Sequence, residues 1–159
     1  ELRLGEASFI RNHASACIDT SGGLLDALTI LRDLNPYMRL EISVDSLPYD
    51  SELISFSVSK GIPAIAGITG GAGEYELLFT TDAELPSEAS KELSGLDITR
   101  IGTVLADAVA APGIYLSGKS LQRLRFDSNL PSPRSDSSID GYIKDIISLS
   151  YKLSSGGGT

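Results

Sequence analysis

The spacing of apolar and polar residues along the chain predicts alternating strands and helices. Leucines recur every three or four residues across 24–34, which places them on one face of a helix. Apolar and polar residues alternate across 40–44, as in a half-buried strand, and the short apolar run at 14–19 predicts a buried strand. The same criteria predict further strands at 75–81, 98–105 and 113–117, and further helices at 51–59, 86–93 and 139–153. We therefore expect an α/β or α+β layered domain, with a mixed sheet of about four strands and helices packed against it.

Composition divides the chain into four segments. Residues 1–127 carry the strand and helix pattern and are expected to form one domain. Residues 128–138 are rich in serine, proline and aspartate, which is typical of a linker. Residues 139–153 form an apolar helical stripe, and residues 154–159 form a glycine-rich flexible tail. Because the only methionine is Met38, the chain is expected to be a fragment or a processed or trimmed chain.

The net charge and the low numbers of cysteine and histidine exclude several classes of function. Thirteen basic residues against twenty-one acidic ones give a net charge of −8, which argues against duplex nucleic acid or an anionic membrane as a partner. A single cysteine, Cys17, excludes an internal disulfide and a cysteine-based zinc site, and we expect it to be an inert, buried thiol. A single histidine, His13, excludes a histidine-rich metal site. No apolar run approaches the roughly 20 residues of a membrane-spanning helix and no signal peptide opens the chain, so we expect a cytoplasmic protein.

The first candidate site is the run Asp19-Thr20-Ser21-Gly22-Gly23, between a predicted strand and a predicted helix. A helix N-terminus offers unpaired N–H groups and partial positive charge, and glycines let the backbone approach an anion closely. Asp19 is a candidate ligand for a Mg²⁺ ion that also touches phosphate oxygens. The alternative is an ordinary helix start, with Thr20 or Ser21 as the capping residue and Asp19 in the turn.

The second candidate site is a loop with four glycines between residues 67 and 73, which closes with Glu74, Tyr75 and Glu76. Such a loop can surround a ligand while a carboxylate binds a metal or a polar group. The alternative is a flexible connection, although four glycines are entropically costly for that purpose. The loop is not a Walker loop, because no Gly-Lys-Ser/Thr sequence follows it.

Four segments, in order and at similar spacing, resemble the C-terminal half of thiamine-monophosphate kinase and, more broadly, the ATP-dependent superfamily of aminoimidazole ribonucleotide (AIR) synthase, also called PurM-like. The resemblance covers about 14–127, and 41–48 matches the family's strand and Leu-Pro turn. The segments are Ala16-Cys-Ile-Asp-Thr-Ser-Gly-Gly-Leu24, Gly70-Gly-Ala-Gly-Glu-Tyr-Glu-Leu-Leu-Phe-Thr80, Arg100-Ile-Gly-Thr-Val104 and Phe126-Asp127.

The resemblance implies one domain of a two-domain enzyme. In such enzymes the N-terminal half, absent here, supplies most of the Mg²⁺-binding aspartates and forms the homodimer that holds ATP. The C-terminal half is a layered, partly ferredoxin-like α/β domain that closes over the nucleotide and contributes to the site for a small phosphorylated substrate.

The resemblance also implies roles for individual residues. Asp19 would bind Mg²⁺, while Ser21, with Gly22 and Gly23, would contact the ATP phosphates. Glu74 and Phe126 would face the substrate. No catalytic residue is assigned within this chain.

The sequence departs from the family pattern in three places. Gly22 stands where the family has a second aspartate, the glycine-rich loop is one residue longer with one acid fewer, and Asp-His-Phe becomes Asp127-Ser-Asn129. With the N-terminal half absent as well, we expect no kinase activity from the isolated chain. Two alternatives stay open: a relative of AIR synthase acting on an amide, carbamoyl or selenium substrate, and a degenerate, non-catalytic binding or assembly domain.

Overall fold

The structure, a computed structural model, describes residues 4–69, 76–82, 89, 91, 93–106, 111–118, 121–126 and 139–155. Its helices are α1 (Leu4–His13), α2 (Leu24–Leu34), α3 (Ser51–Lys60), α4 (Ala66–Thr69) and α5 (Ile139–Ser155). Its strands are β1 (Ala14–Asp19), β2 (Arg39–Ser43), β3 (Leu77–Thr81), β4 (Gly102–Leu105), β5 (Gly113–Gly118) and β6 (Leu121–Phe126), and a short 3₁₀ turn spans Val44–Ser46.

Four strands form a mixed sheet in the order β4-β2-β5-β6. The central pair, β2 and β5, is parallel, with Leu40 beside Ile114 and Ile42 beside Leu116. The outer strands β4 and β6 run antiparallel to their neighbours. The prediction of a mixed α/β domain with a sheet of about four strands is therefore confirmed.

The hydrophobic core lies between this sheet and α2. The leucine face predicted for this helix is buried, and it packs against the alternate residues of β2 and β5 that point to the same side. The buried cluster comprises Leu24, Leu25, Leu28, Leu31, Leu40, Ile42, Leu47, Ile65, Ile114, Leu116 and Phe126.

Strands β1 and β3 pair with each other in a separate, two-stranded antiparallel sheet. The prediction that β1 is a buried strand is wrong, because alternate residues of β1 are exposed. Ala16 and Ile18 pack against the core, whereas Cys17 on the opposite face is exposed. An antiparallel ribbon needs cover on only one face, so a short apolar run does not require burial on both.

The predicted helix boundaries agree closely for α2 and α3, and the C-terminal helix continues to Ser155. Strand β4 is shorter than predicted, and neither β6 nor α4 was predicted. Of the helix expected at 86–93, Ala89, Lys91 and Leu93 are helical and the other residues lie outside the described part. The linker expected at 128–138 lies outside it too. No helix among the described residues is long and apolar enough to cross a membrane.

Candidate functional site

Asp19 ends β1, and the chain then turns into α2. The backbone N–H of Ser21 donates a hydrogen bond to Asp19 Oδ1 at 2.9 Å, and the N–H of Gly23 donates to the Thr20 carbonyl at 2.8 Å. Hydrogen bonds from the Ser21 side chain and backbone hold the pKa of Asp19 below its ordinary value. The carboxylate is therefore ionised at neutral pH, as a ligand for a cation has to be, and it is exposed to solvent.

Helix α2 begins without a side-chain cap. Gly23 is its N-cap residue, with φ 92° and ψ 161°, and no side chain bonds the first helical N–H groups there. The alternative in which Thr20 or Ser21 caps the helix is therefore wrong. A side chain at position 23 would be strained at this φ, so glycine is needed for the turn. The uncapped N–H groups at the start of α2 suit an anion.

Gly22 lies against the carboxylate of Asp26, in the first turn of α2. A Cβ atom at position 22 would overlap the Asp26 side chain, so Asp26 occupies the space beside this glycine. The aspartate that the family carries at position 22 would compete with Asp26 for that space. The turn therefore combines Asp19 at the end of β1 with Asp26 at the start of α2.

Thr20 joins the two candidate motifs, a role that sequence reasoning missed. Its backbone N–H donates to the Glu76 carbonyl at 2.9 Å, and its hydroxyl oxygen accepts from the Glu76 N–H at 3.1 Å. Thr20 is only 4% exposed, so these bonds are shielded from water. The next pair along the ribbon is Asp19 beside Leu77. The residue that follows the glycine-rich loop is thereby held beside the Asp19 turn.

The two residues predicted to face a substrate, Glu74 and Phe126, both remain predictions in that role. Glu74 lies outside the described residues, together with the rest of the glycine-rich loop at 70–75. Phe126 is 4% exposed and pairs with Ile114 at the end of β6, inside the hydrophobic core. The Phe126 ring therefore packs within the core. That it also faces a substrate stays a prediction.

The described residues do not form a complete metal site by themselves. Among them, no group of three or more histidine, cysteine, aspartate or glutamate side chains could hold a metal ion. Mg²⁺ is often bound through one or two carboxylates, with waters and substrate phosphates completing its shell. Asp19, exposed and ionised, fits such a role, and Gly22 contributes no side-chain oxygen.

Cys17 lies two residues before Asp19. It was expected to be buried, but it is exposed. Partial desolvation of its sulfur, and then the negative charge of Asp19, raise the pKa of the Cys17 thiol. The thiol is therefore protonated at neutral pH, which agrees with the expectation that it is chemically inert.

Two solved structures share this architecture. Thiamine monophosphate kinase from Aquifex aeolicus superposes with a TM-score of 0.57 and 27% sequence identity, over 74% of this chain and 36% of the kinase chain. The fold is that of a thiamine-monophosphate-kinase-like domain. A complex of AaThiL with AMPPCP and TMP also matches, with a TM-score of 0.58 and 28% identity, over 72% of this chain and 33% of that one.

The chain thus spans about a third of the length of the kinases that it resembles. No family model matches it, and neither does any curated protein. The kinase-like fold agrees with the expectation of a C-terminal domain of this superfamily.

Proposed function

We propose that this chain is the C-terminal domain of an ATP- and Mg²⁺-dependent phosphotransferase similar to thiamine-monophosphate kinase. The observation that carries the proposal is the turn between β1 and α2. There an exposed, ionised Asp19 precedes an uncapped helix N-terminus. Carboxylate oxygens suit Mg²⁺, and helix N–H groups suit phosphate oxygens. The kinase-like fold supports this reading, since one matching structure is a complex with AMPPCP, a nucleotide, and TMP.

In this proposal, Asp19 binds Mg²⁺ while the backbone of Ser21, Gly22 and Gly23 binds the phosphates of ATP. A bound Mg²⁺ would offset the negative charge on the transferred phosphoryl group. Phosphoryl transfer depends mostly on positioning and charge neutralisation. The contribution of this chain is therefore positioning, and the bonds between Thr20 and Glu76 keep the turn beside the end of the glycine-rich loop.

The remaining parts of the site are proposed to come from elsewhere. An N-terminal half of the same enzyme would supply further Mg²⁺ ligands and a dimer, and Glu74 and Phe126 would face a small phosphorylated substrate. The isolated chain is accordingly inactive in this proposal.

Two observations favour a second candidate, the degenerate binding or assembly domain. Gly22 replaces an acid, and no metal-binding group of three or more side chains occurs among the described residues. No described contact favours amide, carbamoyl or selenium chemistry.

Isothermal titration of this chain with AMPPCP, with and without Mg²⁺, tests the proposal. We expect Mg²⁺-dependent binding that Asp19→Asn weakens at least tenfold, since charge-assisted contacts to the metal are lost. The control is Asp140→Asn, which removes an exposed carboxylate from the first turn of α5. Equal affinity of Asp19→Asn and the wild-type chain would contradict the metal role. An affinity for AMPPCP that is the same with and without Mg²⁺ would favour the second candidate, the degenerate binding or assembly domain.

A further inference from the structure

A cavity of ≈ 290 Å³ opens where β2 and β5 end and β4 begins. Its polar lining consists of Glu41, Ser43, Ser46, Arg100, Thr103 and Ser117. None of these residues belongs to the turn at Asp19 or to the glycine-rich loop. The carboxyl ends of parallel strands are where open α/β sheets commonly bind ligands, and β2 and β5 are the parallel pair of this sheet.

The hydroxyl groups of this cavity are brought together by strand register. Ser43 and Ser117 are direct partners across the parallel pair, so their side chains share a face and lie roughly 5 Å apart, the spacing of neighbouring strands. That face is opposite the one on which Ile42 and Leu116 enter the core. Ser46 donates a hydrogen bond to Ser43 Oγ at 3.0 Å. Ser117 has no side-chain partner in the part of the chain that the structure describes, so its hydroxyl is available to a ligand.

Arg100 supplies positive charge that no carboxylate offsets within the described residues. Its Nη2 donates to Thr103 Oγ1 at 3.0 Å and its Nε donates to the Gly102 carbonyl at 3.4 Å. These bonds orient the guanidinium before any ligand arrives. The acid of the lining, Glu41, is paired with Arg39. Arg100 is therefore a positive group of the lining without an acidic partner among the described residues, although the whole chain carries −8 and Asp45 lies beside the end of β5.

We propose that this cavity binds a small oxyanion, the phosphate or carboxylate group of a small polar ligand. A guanidinium presents N–H donors in a fixed, planar fork that matches the oxygens of such groups. The hydroxyls of Ser43 and Ser117 add neutral donors on the same face of the sheet. Backbone bonding from the Ser43 N–H to the Ile101 carbonyl, at 2.9 Å, joins the ends of β2 and β4 and keeps the cavity in shape.

Titration of the whole chain with inorganic phosphate, followed by amide NMR, tests this proposal. We expect saturable shifts at Arg100, Thr103 and Ser117, and about tenfold weaker binding in Arg100→Gln, because a charged donor is lost. Ser117→Ala should weaken binding severalfold without any change of charge. The control, Arg11→Gln, removes an exposed arginine from the last turn of α1 and should leave the affinity unchanged.

The outcomes distinguish specific binding from general charge attraction. They also distinguish a phosphate ligand from a carboxylate ligand. Acetate in place of phosphate distinguishes a carboxylate site, which binds both, from a phosphate site, which binds phosphate more tightly. Either result supports the proposal. No saturable shift in the wild-type chain overturns it, and so does equal weakening by Arg100→Gln and Arg11→Gln. If Arg100→Gln loses the native spectrum, the Ser117→Ala result decides.

Discussion

At the scale of single residues, Asp19 and Thr20 show how neighbouring positions acquire different roles. Asp19 is the last residue of β1 and its side chain is exposed, whereas the side chain of Thr20, the first residue after the strand, is buried. The exposed carboxylate is held ionised by Ser21, and the buried hydroxyl binds the backbone of Glu76. Asp19 thus supplies the carboxylate of the turn, and Thr20 holds the turn in position.

The Asp19 carboxylate should titrate below the value of about 3.9 that is usual for aspartate. In Ser21→Ala its pKa should rise toward that value, because the largest lowering contribution is the Ser21 side-chain hydrogen bond. A pKa lowered by folding contributes stability above the unfolded-state pKa, and this contribution is lost as the pH falls through the folded-state pKa. Carboxyl NMR titration measures the Asp19 pKa in the wild-type chain and in Ser21→Ala. An Asp19 pKa at or above 3.9 would contradict the turn geometry.

Replacement of Thr20 by valine should destabilise the fold by about 1–3 kcal/mol. Valine has nearly the same shape as threonine but lacks the hydroxyl oxygen that accepts the hydrogen bond from the Glu76 N–H. Urea unfolding measures the loss. The matched control is Thr81→Val, which removes only a 3.2 Å bond to the Asp82 carbonyl on the exposed side and should cost less than about 0.5 kcal/mol. Equal effects of the two changes would show that the Thr20 bonds to Glu76 do not secure this end of the ribbon.

At the scale of elements, the two helices α2 and α3 begin differently. Asp50 caps α3, and its Oδ1 accepts from the Glu52 N–H at 2.7 Å. Helix α2 begins at Gly23 with no side-chain cap. Its stability comes instead from a buried leucine face against the sheet. A helix start that is left uncapped in this way keeps its N–H groups available for a ligand.

The difference between the two helices predicts unequal effects of removing a side chain at each start. Asp50→Ala should lower the free energy of unfolding by about 1 kcal/mol, because a capping bond is lost. Ser21→Ala, near the uncapped start of α2, should change the free energy by less than about 0.5 kcal/mol at neutral pH. Urea unfolding of both variants at one pH provides the comparison. A larger loss for Ser21→Ala than for Asp50→Ala would mean that Ser21 caps α2 after all.

At the scale of the whole molecule, Phe126 has two possible roles, packing in the core and facing a substrate in the proposed site. The ring is 4% exposed at the end of β6. Phe126→Ala should therefore cost about 3–5 kcal/mol in unfolding free energy, as for other buried phenylalanines. Tyr37→Ala is the control, because Tyr37 is 85% exposed and should cost almost nothing. A small loss for Phe126→Ala would favour the substrate-facing role over packing.

The purified chain should show no turnover of ATP with thiamine monophosphate, because it spans about a third of the kinases that it resembles and has no group of three or more metal-ligating side chains among the described residues. A coupled ADP-release assay, with an intact kinase as the positive control, measures this. Turnover at a rate comparable to that of the intact enzyme would refute the proposed dependence on an N-terminal half.

Much of the fold could be predicted from local patterns. The leucine spacing of α2 and the alternation in β2 each reflect burial on one side, so a single sequence contains enough information to predict them. Strand β6 was missed because its apolar residues do not alternate regularly, and its pairing with β5 depends on distant residues. For the site, the sequence indicated the Asp19 turn, but the partner of Thr20 lies 56 residues away and has no local signal. The roles of Glu74, the cytoplasmic location and the metal stay predictions.

The sequence by itself determined the α/β class, most of the strands and helices, and the chemical types present at the turn, because these follow from side-chain periodicity and composition. Tertiary structure alone decided that β1 and β3 form their own ribbon, that Cys17 is exposed and that Phe126 enters the core. It also placed Ser43 beside Ser117 and Thr20 beside Glu76. The physical reason is that strand pairing and side-chain burial depend on residues far apart in the chain, whereas periodicity is a local property.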